Sequence, residues 1–163
     1  MSDVLIRPYT PADAGWVAQV HNELYQQNES FNDQFLPAVH AALHQIETSN
    51  NAAGWIAERH GMAVGCLFFT TPQQHTAQLR LFLLIPAERG AGHGRRMLQH
   101  AMRTTVKFGY KVMKVNTFAE HSAACALYAS MGFHKTSTRP THAFGRDLTE
   151  VAWERPLTGN ELS

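Results

Sequence analysis

Apolar residues recur along this chain in two rhythms, and the rhythms change at recognisable punctuation. Val4, Leu5, Ile6 and Arg7 read as a first strand. Thr10, Pro11 and Asp13 then form a helix start, with a capping hydroxyl, an early proline and a carboxylate three residues after the cap. Trp16, Val17, Val20 and Leu24 follow at helical spacing. Phe35, Val39, Leu43 and Ile46 give a second helical stripe, with Pro37 in its first turn. Trp55–Arg59 and Met62–Thr70 alternate as a hairpin around His60-Gly61. Ala77, Leu79, Leu81, Leu83 and Ile85 are expected on one face of a long strand, and Gln78, Arg80, Phe82 and Leu84 on the other.

The second half continues the alternation. Met97, Leu98, Ala101, Met102 and Thr105 mark a helix stopping near Gly109. Lys111–Thr117 reads as a strand. Ala124, Leu127, Tyr128 and Met131 make a short helix ended by Gly132. Phe133–Thr138 and Leu148–Arg155 are two last strands, joined by a polar loop. The order β-α-α-β-β-β-α-β-α-β-β predicts an α/β (mixed α+β) fold, a mixed, mostly antiparallel sheet flanked by helices. No linker, repeat or low-complexity tract interrupts it, so 1–163 is expected to be a single domain.

Composition narrows the function without naming it. With 44% hydrophobic and 17% charged residues, the chain has the balance of a globular protein. A net charge of +1 gives no field favouring nucleic acid or an anionic membrane, and neither is expected as a partner. No apolar run reaches membrane-spanning length, and the start has no leader-like core. Cys66 and Cys125 lack C-x-x-C spacing, so they read as reduced, packed thiols of a cytoplasmic protein. An acyl-cysteine route through Cys125 ranks far below packing. His40 and His44 have i,i+4 spacing but no third ligand in view, and no metal is expected.

The densest chemistry lies at Arg89-Gly90-Ala91-Gly92-His93-Gly94, between the apolar run Leu81–Pro86 and the third helix. A strand, a glycine-rich turn and a helix N-terminus together suit an anion. The first-turn N–H groups are unpaired, the dipole is positive there, and glycine lets the backbone approach. Arg89, Arg95 and Arg96 add charge. The dinucleotide fingerprint fails because Arg95 stands where its third glycine is required, and no Gly-Lys-Ser/Thr triplet is present. What fits is Arg-x-x-Gly-x-Gly at Arg89, Gly92 and Gly94. About 35 residues further on, Ala124, Leu127, Tyr128, Gly132 and Phe133 fit Ala-x-x-Leu-Tyr-x-x-x-Gly-Phe.

These two motifs, in this order, resemble the GNAT acyltransferase superfamily. Trp55–Glu58, Val64-Gly65, Leu79–Leu81, Phe108–Tyr110, His142–Gly145 and Trp153-Glu154 are similar to a subgroup often fused behind MarR-type regulators. The resemblance spans roughly residues 30–157. It implies an N-acetyltransferase with acetyl-CoA as co-substrate and a primary amine as acceptor, attacked directly in a ternary complex. Small molecules or amino acids come first as acceptors, protein lysines or N-termini second. It implies a pyrophosphate held by Arg89, Gly90, Ala91, Gly92, His93, Gly94 and Arg95. It also implies that Leu83, Leu84 and Ile85 act through main chain at a strand bulge or splay, where an N–H can serve an oxyanion. Tyr128 is the implied acid, returning a proton to the leaving thiolate.

The general base stays open. The family often has a carboxylate on the fourth strand, and His75–Ile85 contains none. Glu23, Glu29, Glu58, His121 and His142 are alternatives, as are a water chain or an amine that binds neutral. The family also often has an Asn seven residues before the tyrosine, and this chain has His121. Tyr25, Glu29, Phe31, Arg139 and His142 are expected near the acceptor. The missing carboxylate also motivates another class, a CoA-binding sensor without turnover. The late strands leave a homodimer possible.

Overall fold

The structure is a computed structural model and describes residues 3–27 and 29–162. Its element order matches the predicted one: β1 (Val4–Pro8), α1 (Ala14–Asn22), α2 (Phe35–Thr48), β2 (Ala53–Arg59), β3 (Met62–Gln73) and β4 (Thr76–Leu84), followed by α3 (His93–Lys107), β5 (Val112–Phe118), α4 (Ser122–Ser130), β6 (His134–Ala143) and β7 (Arg146–Pro156). The seven strands form one sheet in the order β1-β2-β3-β4-β5-β7-β6. Only β4 and β5 run parallel, because the α3 crossover joins them.

Helices cover both faces. Met97, Leu98, Ala101 and Met102 of α3 pack with Leu67, Phe69, Leu79, Val115 and Trp153 on one side. Val17 and Val20 of α1, with Val39, Leu43 and Ile46 of α2, pack on Ile56, Cys66, Phe68 and Leu83 on the other. Gly54 lets Phe68 lie against β2: a Cβ there would fall 2.1 Å from the Phe68 ring. The start at Thr10 forms as expected, its N–H donating to the Asp13 carboxylate at 2.9 Å, while Arg7 grips that carboxylate at 2.8 and 2.9 Å.

Two expectations need correction. The fourth strand does not keep one apolar face. Its pairing with β3 slips between Phe68↔Arg80 and Cys66↔Leu83, and Leu81 sits in the left-handed region at φ 50°. That β-bulge turns the strand over. Ala77 and Leu79 join the α3 side, Leu81 and Leu83 the α1–α2 side, and Phe82 and Leu84 take over the α3 side. The polar loop between the last strands is also absent. β6 and β7 run to Ala143 and Arg146, joined by Phe144-Gly145 with φ 53° and 81°. Both positive φ values fit the tight hairpin turn that matches strand twist.

Candidate active site

The glycine loop joins β4 to the N-terminus of α3 and leaves a cradle of open main chain. A single turn, Pro86–Glu88, follows β4 and is tied down by Arg59, which holds Glu88 through two 2.8 Å bonds. Gly90 and Gly92 then adopt φ 83° and 86°, and nothing lies within 4 Å of where their Cβ atoms would be. Gly92 caps α3, so the N–H groups of its first turn, from His93 to Arg95, project without intrahelical acceptors. Ala91 is exposed in the same turn. Arg89 donates to the Leu84 carbonyl at 2.8 Å and Arg95 to the Ser130 hydroxyl at 2.8 Å. Both partners are neutral, so the two positive charges remain uncompensated at the helix N-terminus. His93 differs from its neighbours: its side chain is buried, 3.8 Å from Glu88 and 3.4 Å from Arg96, so only its main chain faces the cradle.

Beside the cradle the sheet splits. β4 and β5 pair only at Thr76↔Val112, Ala77↔Met113 and Gln78↔Lys114, then diverge. Ile85 gives its N–H to the Val64 carbonyl at 2.9 Å, and Leu83 pairs with Cys66. This register directs the main chain of Leu83 and Ile85 to β3 and that of Leu84 toward the gap. The bulge of this strand is centred at Leu81, two residues before Leu83.

A cavity of about 190 Å³ fills the split, lined by Leu79–Phe82 of β4, Val115–Phe118 of β5, and His121 and Tyr128 of α4 and its approach. Its far wall comes from the α1–α2 side: His21, Tyr25, Phe31 and Phe35. Tyr25 tilts against Phe31 and Phe35 at 5.4 and 4.9 Å, and Phe144 stacks on Phe31 at 5.2 Å. The wall is pinned by the tight β6–β7 turn, since Asn32 donates its N–H to the Phe144 carbonyl at 2.9 Å.

Four polar groups converge on this apolar space. Tyr128 is 3% exposed, with its ring against Phe133 and Trp153 at 5.5 and 6.3 Å. Its hydroxyl makes no hydrogen bond among the described residues, and burial pushes its pKa above the ordinary phenol value. His121 donates its Nε2–H to the Glu29 carboxylate at 2.5 Å. Arg146 of β7 holds the Glu29 carbonyl at 2.8 Å. Among the described residues Arg80 reaches only the neutral Gln45 side chain, at 3.3 Å, and burial presses its pKa downward with no described carboxylate to offset it. His21 donates its Nδ1–H to the Val17 carbonyl, 2.8 Å away, and burial lowers its pKa to about 4, so it is neutral near pH 7.

Tyr25 and Phe31 line this cavity. Arg139 and His142 do not: they stand on the exposed hairpin, paired with Glu150 at 2.8 Å and Asp147 at 2.8 Å. They fall outside the cavity because the expected polar loop is really strand, carrying them away along β6. Glu23 bonds Gln19 and Glu58 bonds Arg7, both away from the cavity. Burial raises the thiol pKa of Cys125, which disfavours a nucleophilic thiolate. His40 and His44 are exposed on α2, and among the described residues no group of three His, Cys, Asp or Glu is placed to hold a metal. No helix among the described residues is long and apolar enough to cross a membrane. Arg80 and His21 were missed as site residues because one reads as a strand's polar face and the other as part of a helix.

A sheet split beside a helix-capping glycine loop, with a buried tyrosine facing the split, defines a protein of the acyltransferase type. The chain belongs to the Acetyltransferase (GNAT) family, whose model matches residues 17–133. It is 29% identical over 94 residues to YjgM, an uncharacterized N-acetyltransferase of Escherichia coli. That match spans 56% of this chain and 56% of YjgM, so it reaches little more than half the length of that relative. Among solved structures, the ribosomal-protein-alanine N-acetyltransferase of Brucella melitensis superposes with TM-score 0.76 at 25% identity, over 94% of this chain and 99% of the other. yncA of Salmonella typhimurium, solved with its cofactor acetyl-CoA, gives 0.74 at 21% identity, over 97% and 96%. An N-acetyltransferase of Staphylococcus aureus gives 0.79 at 18%, over 96% and 100%.

Proposed function

We propose that this chain transfers an acetyl group from acetyl-CoA to the primary amine of a small acceptor of amino-acid type, by direct attack in a ternary complex. The observation that carries this reading is the cavity in the β4–β5 split, where Tyr128, an aromatic wall and the uncompensated Arg80 meet. The residues present fit a pyrophosphate-bearing co-substrate: Arg89 and Arg95 have neutral partners only, and Gly90 and Gly92 leave open space. The first turn of α3 and these two arginines would hold the pyrophosphate. Acetyl-CoA supplies a thioester carbonyl when bound. Leu84 presents its N–H to the gap, suited to a developing oxyanion. Tyr128 keeps its proton through neutral pH, and the phenol would give it to the leaving thiolate.

The cavity is smaller than a drug-sized pocket, which favours a compact acceptor. Aromatic rings suit an apolar body, and Arg80 suits a carboxylate. The resemblance to the MarR-fused subgroup, a cytoplasmic setting and a homodimer belong to the same reading. A peptide N-terminus is a second acceptor, favoured by the likeness across nearly the whole chain to the Brucella enzyme named for ribosomal-protein alanine.

Thiol release from acetyl-CoA tests this across L-amino acids, their amides, polyamines, aminoglycosides and N-terminal peptides. A carboxylate-bearing, apolar amino acid should be preferred. Arg80→Ala should then raise its KM about 10- to 100-fold, the value of one charge-assisted bond, and leave the matching amide unchanged. Acetyl-CoA binding with no release across the panel would replace this reading with the sensor.

A further inference from the structure

We infer that His121, oriented by Glu29, is the base that removes the proton from the acceptor's ammonium group. The inference rests on the acetyltransferase reading and supplies what β4 lacks, a proton acceptor beside the cavity. His121 lines the cavity, as does Tyr128 two helix turns further along. Its Nε2 is engaged by Glu29 at 2.5 Å. It caps α4 without a side-chain capping bond, and its Nδ1 has no hydrogen bond among the described residues. A carboxylate on one nitrogen assigns the proton of the neutral ring to that nitrogen and leaves the lone pair on the other. Glu29 therefore selects the tautomer whose Nδ1 is free to accept.

The pair is held from three elements. Arg146 of β7 fixes the Glu29 carbonyl at 2.8 Å and stands 4.0 Å from its carboxylate. The His121 ring is braced by Tyr25 at 5.4 Å and Phe118 at 5.7 Å. Its own N–H closes the turn onto the Phe118 carbonyl at 2.9 Å. The groups facing the imidazole are thus Glu29 and Tyr25 from the α1–α2 connection, Arg146 from β7, Glu120 beside it and Tyr128 from α4. The other imidazole on the wall, His21, is a weak base because burial resists its charging.

The protons balance. The ammonium gives one proton to Nδ1 of His121. The freed lone pair forms the C–N bond to the acetyl carbon as the C–S bond breaks. Sulfur takes a proton from Tyr128, and the phenolate recovers the proton that nitrogen sheds. His121 passes its proton to solvent. One ammonium and one thioester thus give one amide, one thiol and one proton. Glu29 touches none of the reacting atoms and is a positioning residue.

The test uses the full chain with an alkylamine acceptor and a shape-matched alkoxyamine, which arrives neutral and needs no base. His121→Ala should lower kcat/KM for the alkylamine about 100-fold at pH 7, the worth of a general base, and for the alkoxyamine only a few-fold. The acid limb of kcat/KM for the alkylamine should move to higher pH, and added imidazole should restore part of the rate. Glu29→Gln should cost less, about tenfold. Without acetyl-CoA, a low-field proton NMR signal of the Glu29-bound Nε2–H should vanish in Glu29→Gln and in His121→Ala. His121→Gln, with a melting curve matching wild type, serves as the folded control and should show the same acceptor discrimination. Equal losses with both amines and an unmoved acid limb would overturn the base while leaving the acetyltransferase reading intact. Failure of the wild type to acetylate any amine would overturn both.

Discussion

Replacing Tyr128 by Phe separates chemistry from architecture, because the two make opposite demands on one oxygen. The ring is 3% exposed and packs on Phe133 and Trp153, contacts that phenylalanine keeps. The hydroxyl bonds no described residue, so its loss strands no partner. Stability should therefore change by no more than about 1 kcal/mol, or about 4 °C in Tm for a chain of this size. Were the tyrosine a packing residue held by its hydroxyl, Tm would fall and turnover would not. As the acid, its removal should lower kcat about 100-fold, equivalent to about 2.7 kcal/mol of barrier, with acetyl-CoA affinity unchanged. The assay pairs thermal unfolding with thiol release at saturating acetyl-CoA, using whichever amine the wild type accepts. An unchanged kcat in a normally melting variant would remove Tyr128 from the proton path.

The remaining expectations concern the cradle and the buried imidazole. Gly92→Val places a β-branched residue at φ 86°, which should cost about 1–3 kcal/mol of stability. It should also lower acetyl-CoA affinity by roughly tenfold or more, read by calorimetry. Gly94→Ala is the contrast: its Cβ would meet Leu127 at 3.6 Å and Phe82 at 3.8 Å, ordinary contacts on the inner side. A gain of about 0.5–1 kcal/mol with unchanged affinity is expected, and lost binding here alone would misplace the cradle. His21 has a folded pKa of about 4, below its unfolded value, so the unfolded chain binds the proton first as pH falls. Stability from this group is present above pH about 6.5 and should drop by on the order of 3 kcal/mol by pH about 4. Urea unfolding across that range, with a smaller drop in His21→Gln than in the wild type, checks the assignment; the drop that remains includes His100, whose pKa burial also lowers.

Periodicity was enough to find α1–α4 and the strands that bury a stripe on one side, whereas β6 is exposed along nearly its whole length. The glycine loop was legible too, since Gly90 and Gly92 follow a strand and open an amphipathic helix. What periodicity could not show was where a strand turns over. Leu79, Leu81 and Leu83 alternate perfectly on paper, yet the bulge at Leu81 sends Leu81 and Leu83 to the core opposite Leu79. Phe144-Gly145 hid a turn because Phe is an unusual left-handed residue, and the polar neighbours suggested a loop. Glu29 and His121 were each visible as candidates, but nothing local joins residues 92 positions apart. Their meeting depends on the β6–β7 turn reaching over the cavity, a tertiary fact.

The narrow junction between β4 and β5 has a mechanical meaning. Three residue pairs join these strands, whereas seven join β5 to β7. The sheet is thus two panels stitched along a short seam, and the tear runs from Gln78 and Lys114 into the cavity. Force or thermal motion that spreads the panels concentrates on that last stitch. Any extended ligand arm lying in the tear and bonded to main chain adds stitches beyond it. Occupancy and the integrity of the sheet then become one quantity, and amide exchange at the seam becomes a gauge of what the cleft contains.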